Sequence, residues 1–179
     1  MGFFSDARPG LERPGRGNQW DPPAAELPRV AVADALVLAR TEEVAVAVTA
    51  IWAFRAGFEF WLRCQFRHSG PALADQADDQ SLHIGVQFAD GRKVANMARV
   101  PEVAESMPAG LILRPLGFGG GLRHRSRSYW VSPLPPVGPV TFVCEWAAFE
   151  IGEQRAEADA QLILDAARRS VQLWPEDNG

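Results

Sequence analysis

The fold is decided by residues 57–67, which read Gly-Phe-Glu-Phe-Trp-Leu-Arg-Cys-Gln-Phe-Arg. Apolar and polar side chains alternate in this stretch, so every second residue falls on the same face of an extended chain. One face carries Phe58, Phe60, Leu62, Cys64 and Phe66, and the other carries Glu59, Trp61, Arg63, Gln65 and Arg67. A period of two with one apolar face predicts a half-buried antiparallel strand.

The same alternation continues on both sides of this strand. Residues 43–54 alternate in the same way, and the short turn Arg55-Ala56-Gly57 joins the two runs into a hairpin. A second hairpin is predicted from residues 82–88, the turn Asp90-Gly91 and a return strand through residues 92–96. Further strands are predicted at residues 111–114, 127–132 and 140–147.

The period changes near the end of the chain. Asp159 is a good helix N-cap, and apolar residues then recur at helical spacing up to Trp174, just before Pro175. This pattern predicts one helix over about residues 160–174. About seven short antiparallel strands followed by one helix predict an all-β fold, an antiparallel β-sandwich of immunoglobulin-like outline with one C-terminal α-helix.

The chain has 179 residues and is 47% hydrophobic, which suits one domain. The first 28 residues contain five prolines and four glycines, a density typical of disorder. We therefore predict a disordered arm over residues 1–27, a single domain over residues 28–175 and a short tail over residues 176–179.

Charge and cysteine content bear on location and partners. With 18 basic and 22 acidic residues, the net charge is −4, which does not favour a protein coated in nucleic acid. No apolar run reaches the ~20 residues of a membrane-spanning helix, and no secretory signal is evident. We expect a cytoplasmic protein with no membrane partner, in which Cys64 and Cys144 are free buried thiols and not a disulfide.

Residues 128–146 read Ser-Tyr-Trp-Val-Ser-Pro-Leu-Pro-Pro-Val-Gly-Pro-Val-Thr-Phe-Val-Cys-Glu-Trp. This stretch resembles a motif of a family of uncharacterised actinobacterial proteins. The resemblance takes in about residues 30–177, including residues 38–41 and 57–60, and it implies a recurring domain with no activity, ligand or catalytic residue attached. Where the motif commonly has proline after its second tryptophan, this chain has Ala147.

The strongest candidate for a ligand site is a stretch without acidic residues. No Asp or Glu occurs between Glu105 and Glu145, so this segment carries +4 while the rest of the chain carries −8. Guanidinium groups and aromatic rings beside a glycine-rich backbone can hold a phosphate, a carboxylate or a stacked base. The candidate residues are Arg114, Arg123, His124, Arg125, Arg127, Tyr129 and Trp130. The alternative interpretation is a mobile, solvated loop between two strands.

A second candidate surface surrounds Trp61 and Arg63 on the polar face of their strand. An exposed aromatic ring beside a cation is typical of a protein-docking surface. The alternative is that the C-terminal helix or the N-terminal arm covers Trp61.

No motif of a known catalytic chemistry is present. There is no Gly-x-Ser-x-Gly turn and no P-loop, and His68, His83 and His124 are too scattered to predict a metal site. The sequence therefore predicts, without cofactor or metal, a non-catalytic module that binds another protein through the strand face or the Gly/Arg-rich segment. The alternative is a module that binds an anionic ligand or single-stranded nucleic acid at Arg123, Arg125 and Arg127, and an enzyme of another type stays open.

Overall fold

The alternating stretch that begins at Gly57 forms the central strand of one layer of a β-sandwich. The structure, a computed structural model, describes residues 8–9, 22–23, 25–68, 81–96 and 110–174. In chain order the strands are β1 (Arg8–Pro9), β2 (Glu26–Leu27), β3 (Arg29–Val32), β4 (Leu36–Arg40), β5 (Val44–Phe54), β6 (Gly57–Phe66), β7 (Leu82–Gln87), β8 (Lys93–Ala95), β9 (Ile112–Gly121), β10 (His124–Ser132), β11 (Pro139–Trp146), β12 (Ile151–Asp159) and β13 (Val171–Gln172). Helix α1 spans Ala160–Arg168, and a 3-10 turn spans Ala147–Phe149.

Two sheets form the layers of the sandwich. The six-stranded sheet has the order β3-β5-β6-β10-β9, and β4 pairs with β5 beyond the end of β3. The five-stranded sheet has the order β1-β8-β7-β11-β12, and a small third sheet joins β2 to β13. Every pairing among these described strands is antiparallel except the short one between β1 and β8. The predicted all-β sandwich with one C-terminal helix is confirmed.

Aromatic side chains hold the layers together. The ring of Phe60 on β6 lies 5.0 Å from that of Phe142 on β11, across the interface, and stacks at 5.2 Å on that of Tyr129 from β10. Towards one end of β6, Phe66 meets Trp146 edge to face at 6.2 Å. All five side chains are buried. Burial of each large apolar side chain stabilises the fold by about 1.5–3 kcal/mol, so this aromatic cluster is a main source of stability.

The two hairpins predicted at residues 55–57 and 90–91 are confirmed. Strand β12, however, was not predicted, and neither were β3 and β4. The sequence of β12 alternates charged residues with Gly and Ala, and only its first residue, Ile151, is buried. An edge strand of this composition lacks the large apolar side chains that make a period of two visible.

Helix α1 begins where predicted but ends six residues earlier. The side chain of Asp159 accepts a hydrogen bond from the backbone N–H of Gln161 at 2.9 Å, so it is the expected N-cap. The Ser170 hydroxyl donates to the carbonyl oxygen of Ala167 at 2.8 Å, and the next two residues pair with β2. The helical spacing up to Trp174 was therefore misleading, and that side chain is 61% exposed.

Most of the predicted arm over residues 1–27 and all of the predicted tail over residues 176–179 lie outside the described residues. Three short parts of the arm are described, residues 8–9, 22–23 and 25–27. Arg8–Pro9 pairs with Val94 and Ala95, and the Glu26 carboxylate accepts a hydrogen bond at 2.8 Å from the backbone N–H of Arg55. In the part of the chain that is described, no helix has the length and apolar character needed to cross a bilayer.

Candidate functional site

The candidate arginines lie on the hairpin formed by β9 and β10, whose register shifts between Ser128 and Tyr129. Strand β9 continues through Gly117–Gly121, and β10 begins at His124, so only Leu122 and Arg123 form the turn. The prediction that strands end at residue 114 and resume at residue 127 was therefore wrong. The carbonyl oxygen of Arg123 accepts hydrogen bonds from the backbone N–H of Phe66 at 2.9 Å and from the side chain of Gln65 at 2.7 Å. These bonds fix the turn to the end of β6.

Strand alternation divides the predicted cluster between two faces of the six-stranded sheet. Arg125, Arg127 and Tyr129 share the face that carries their register partners Cys64, Leu62 and Phe60. This is the inner face, which looks towards the five-stranded sheet. His124 and Trp130 lie on the outer face, Arg114 is the register partner of Trp130, and Arg123 lies in the turn. The seven predicted residues thus do not form one site.

Burial excludes base stacking as it was predicted. Tyr129 and Trp130, the expected aromatic platforms, are each only 1% exposed. Tyr129 stacks inside the sandwich on Phe60, and Trp130 packs edge to face on Phe54 at 5.3 Å. A nucleic-acid base needs an accessible ring face, so these two rings cannot provide one. Arg114 is 2% exposed and is likewise inaccessible to a ligand in solution.

A cavity opens on the inner face beside the hairpin. It has a volume of about 380 Å³ and is bounded on its apolar side by Leu62 and Cys64 of β6 and by Leu82 and Trp146 of the opposite sheet. Its other side is formed by the following residues of the hairpin: Phe118, Gly119, Gly120, Gly121, Arg125, Ser126, Arg127 and Tyr129. None of these described lining residues is acidic. The volume falls within the range of about 300–1,000 Å³ typical of small-molecule sites.

Gly120 allows a close approach of the β10 backbone beside one of the cavity's arginines. A Cβ atom at this position would lie 2.7 Å from the carbonyl oxygen of His124 and 3.6 Å from Cγ of Arg125. The absence of a side chain therefore allows the backbone of His124 and Arg125 to approach β9 closely, whereas the contact with the Arg125 stem would be an ordinary one. Gly119 is different, because a Cβ there would have no neighbour within 4 Å.

The two thiols are free and buried, as predicted. Desolvation raises the pKa of Cys144 to about 12, so this thiol stays protonated at neutral pH. Cys64 lines the cavity, where Arg125 is its cross-strand neighbour. The cavity therefore brings an apolar wall, a thiol and two guanidinium side chains together.

The predicted docking surface around Trp61 is part of a larger apolar stripe. Trp61, Trp52 and Val30 are 37%, 41% and 50% exposed, and they lie on the outer face of β6, β5 and β3. Arg63 lies on the same face, and its guanidinium donates to the side-chain oxygen of Gln65 at 3.0 Å. We call Trp61, Trp52 and Val30 the tryptophan stripe. Its partial exposure keeps the docking hypothesis open.

Next to the stripe, Glu59 lies between Trp52 and Trp130 in the strand register. Burial raises the pKa of the Glu59 carboxyl, while hydrogen bonds from the side chains of Ser128 and Trp61 act in the opposite direction. Within the described ranges, no group of three or more His, Cys, Asp or Glu residues could hold a metal ion.

Sequence reasoning missed the cavity, although one signal was available. Tyr129 belongs to the inner face, and a period of two carries that face back to Arg127 and Arg125. That extension would have separated these two arginines from Arg114 and Trp130. No family model, curated protein or solved structure matches the chain, so the resemblance to the actinobacterial family stays a prediction.

Proposed function

We propose that this protein binds a small amphipathic organic anion in the cavity beside the β9–β10 hairpin. The observation that carries the proposal is the lining, which joins Arg125 and Arg127 on one side to Leu62, Leu82 and Trp146 on the other. Such a site suits a ligand with a carboxylate, sulfonate or phosphate at one end and an apolar body at the other.

The size and location of the cavity favour a small molecule over a polymer. A single strand of nucleic acid needs a groove that follows its backbone and accessible rings for its bases. Both predicted rings are buried. A cavity of about 380 Å³ between two sheets instead suits one compact ligand.

Two dyes of nearly identical shape test the proposal. 8-Anilinonaphthalene-1-sulfonate is an apolar aromatic anion, and N-phenyl-1-naphthylamine is its counterpart without the sulfonate. Fluorescence titration of the full chain should show saturable binding with the anionic dye bound more tightly. A hydrogen bond to a charged group contributes about 1.5–3 kcal/mol, which predicts a preference of roughly tenfold or more.

The variant R125M/R127M keeps much of the side-chain volume and removes both charges, so it should abolish this preference. Arg155→Met is the matched control, because Arg155 lies on β12 and forms a surface ion pair with Glu153. Equal affinity of the native protein for the two dyes, or an unchanged preference in R125M/R127M, would show that the arginines do not select an anion.

A second candidate function is docking of another protein on the tryptophan stripe. Partly exposed tryptophans are enriched at interaction hot spots, and Arg63 beside them favours a partner that offers a carboxylate next to an apolar patch. Native mass spectrometry of the protein from its own host provides the test. A partner retained by the Val137→Ser control but lost in Trp61→Ser would support docking, and a partner retained by both would contradict it.

We further infer a cytoplasmic location, because two free thiols in a chain without a disulfide suit a reducing compartment. Membership of the actinobacterial family rests on the motif in residues 128–146.

A further inference from the structure

The β9–β10 turn and the adjoining end of β9 combine the most exposed apolar side chains of the described residues with basic residues. Among the described residues, Leu122 is 87% exposed and Phe118 is 85% exposed, and the next large apolar side chain, Val137, is 72% exposed. Arg123 is exposed in the same turn, and Arg67 and His68 are exposed at the adjacent end of β6. The Arg123 guanidinium donates a hydrogen bond to the backbone oxygen of Arg67, which links the two segments.

We propose that this turn docks on an anionic lipid surface, with Leu122 inserted between headgroups and Arg123 and Arg67 at the headgroup phosphates. Apolar side chains placed beside basic ones are the composition by which peripheral proteins bind anionic bilayers. Of the four arginines in residues 106–144, Arg123 is the one exposed at this tip, where Arg67 supplies a second exposed cation.

The shape of this surface favours a bilayer over a protein. A stable protein interface buries about 800 Å² on each partner, whereas the apolar part of this tip consists of Leu122 in the turn and Phe118 on β9. A bilayer accepts a small insertion together with dispersed positive charge. The turn is also fixed in place, since Phe66 and Gln65 both donate to the Arg123 carbonyl. A fixed tip loses little conformational entropy on docking.

This proposal departs from the sequence prediction of no membrane partner, which rested on the lack of a membrane-spanning segment. A protein can bind to a lipid surface without a membrane-spanning segment. Phe118 belongs to both surfaces, but the two proposals are tested at different residues, because neither Leu122 nor Arg123 is among the described residues that line the cavity.

Co-sedimentation of the full chain with vesicles tests lipid docking. The native protein should bind vesicles that contain phosphatidylglycerol and phosphatidylcholine. It should bind vesicles of phosphatidylcholine alone much more weakly. Higher salt should weaken the binding, because exposed charges are screened. Leu122→Ser should reduce the affinity roughly tenfold through loss of apolar burial. Arg123→Glu should reduce it by a similar factor, about tenfold, through reversal of one charge near the surface.

Val137→Ser and Arg168→Glu are matched controls. Val137 lies beyond the opposite end of β10, and Arg168 is an exposed residue of α1. Both controls should bind like the native chain. Failure of the native protein to bind the anionic vesicles, equal binding to both vesicles, or normal binding by Leu122→Ser would each overturn the proposal. Intact binding of the anionic dye by a variant that no longer binds vesicles would show that only the lipid contact was lost.

Discussion

The β9–β10 hairpin has an inner half next to the core and an outer half next to the turn, and its register shifts between Ser128 and Tyr129, where the two halves meet. The side chains of the two halves differ in burial. In the inner half, Ile112–Arg114 and Ser128–Val131 are buried. In the outer half, Gly117–Gly121 is exposed and the arginines of β10 are only partly buried. Strand backbone therefore extends past the core, and the register shift lies near the place where burial ends. The change from bulky side chains to glycine marks where packing ends and where the cavity begins.

The largest expected effect compares a methyl group added against the inner half, at Gly57 of β6, with one added in the outer half, at Gly119 of β9. A Cβ at Gly57 would lie 2.2 Å from the carbonyl oxygen of Val131 and 2.8 Å from the Trp130 ring, both in the inner half. The Val131 backbone cannot move aside without a large energetic cost. Gly57→Ala should therefore lower the free energy of unfolding by about 4 kcal/mol or more, or prevent folding. Gly119→Ala, in the outer half, should change it by less than about 0.5 kcal/mol. Urea denaturation measures both, and similar stabilities would contradict the comparison.

The second expected effect concerns the two thiols. Cys144 lies in the core with a pKa of about 12, against an ordinary value of 9.0, so its thiolate fraction at pH 8 is lower on the order of a thousandfold. Cys64 lines the cavity. In the native protein, a maleimide should therefore modify Cys64 well before Cys144, and both should react quickly in denaturant. The variant Cys64→Ser assigns the faster reaction. Equal native rates would mean that the cavity does not reach Cys64.

The core of this fold could be predicted from sequence because its signal is local. The alternation in β6 needs only adjacent residues to be recognised, and the cap at Asp159 needs only its position before an apolar run. The edge strand β12 and the early end of α1 could not be predicted in this way. The end of α1 depends on a distant segment, since the residues after it pair with β2. Strand β12 pairs with its neighbour β11, but it lacks the large apolar side chains that would make its alternation visible.

The candidate site was predicted only in part for the same reason. Clustering along the sequence placed Arg114 and Trp130 with Arg125 and Arg127, but the fold puts the two pairs on opposite faces. The apolar wall formed by Leu82 and Trp146 comes from the other sheet. Nothing local in the sequence links those residues to β10, so only the stacking of the sheets defines the cavity.

The third expected effect tests whether glycine in the outer half serves the cavity. At Gly120 a Cβ would lie 2.7 Å from the His124 carbonyl oxygen and 3.2 Å from Cα of Arg125. Gly120→Ala should therefore destabilise the protein by about 1–3 kcal/mol. It should also weaken binding of the anionic dye, because Arg125 must shift. Gly119→Ala is the control. If Gly120→Ala bound the dye as tightly as that control does, the position of Arg125 would not matter for ligand binding.

The smallest expected effect concerns Glu59, which is partly buried on the outer face of β6, beside Trp130 of the inner half of the hairpin. Its pKa is raised above 4.5 by burial, so the folded state holds this proton more tightly than the unfolded state. The contribution of the protonated Glu59 carboxyl to the free energy of unfolding is fully present below pH 4.5, and it is lost as the pH rises through the raised pKa. Glu59→Gln keeps an acceptor for Ser128 and Trp61 without the charge. Its Tm should exceed that of the native protein by about a degree at pH 7.

This advantage of Glu59→Gln should vanish near pH 4, where the native carboxyl is protonated in both states. Glu42→Gln, at an exposed turn, is the matched control and should change the Tm at neither pH. A constant difference between the native protein and Glu59→Gln at both pH values would mean that packing, and not charge, separates them. A lower Tm at pH 7 would mean that the hydrogen bonds of the carboxylate outweigh its desolvation. The outer face of the sheet would then tolerate a charge beside the inner half of the hairpin. The contrast between the two halves would hold only for side chains on the inner face.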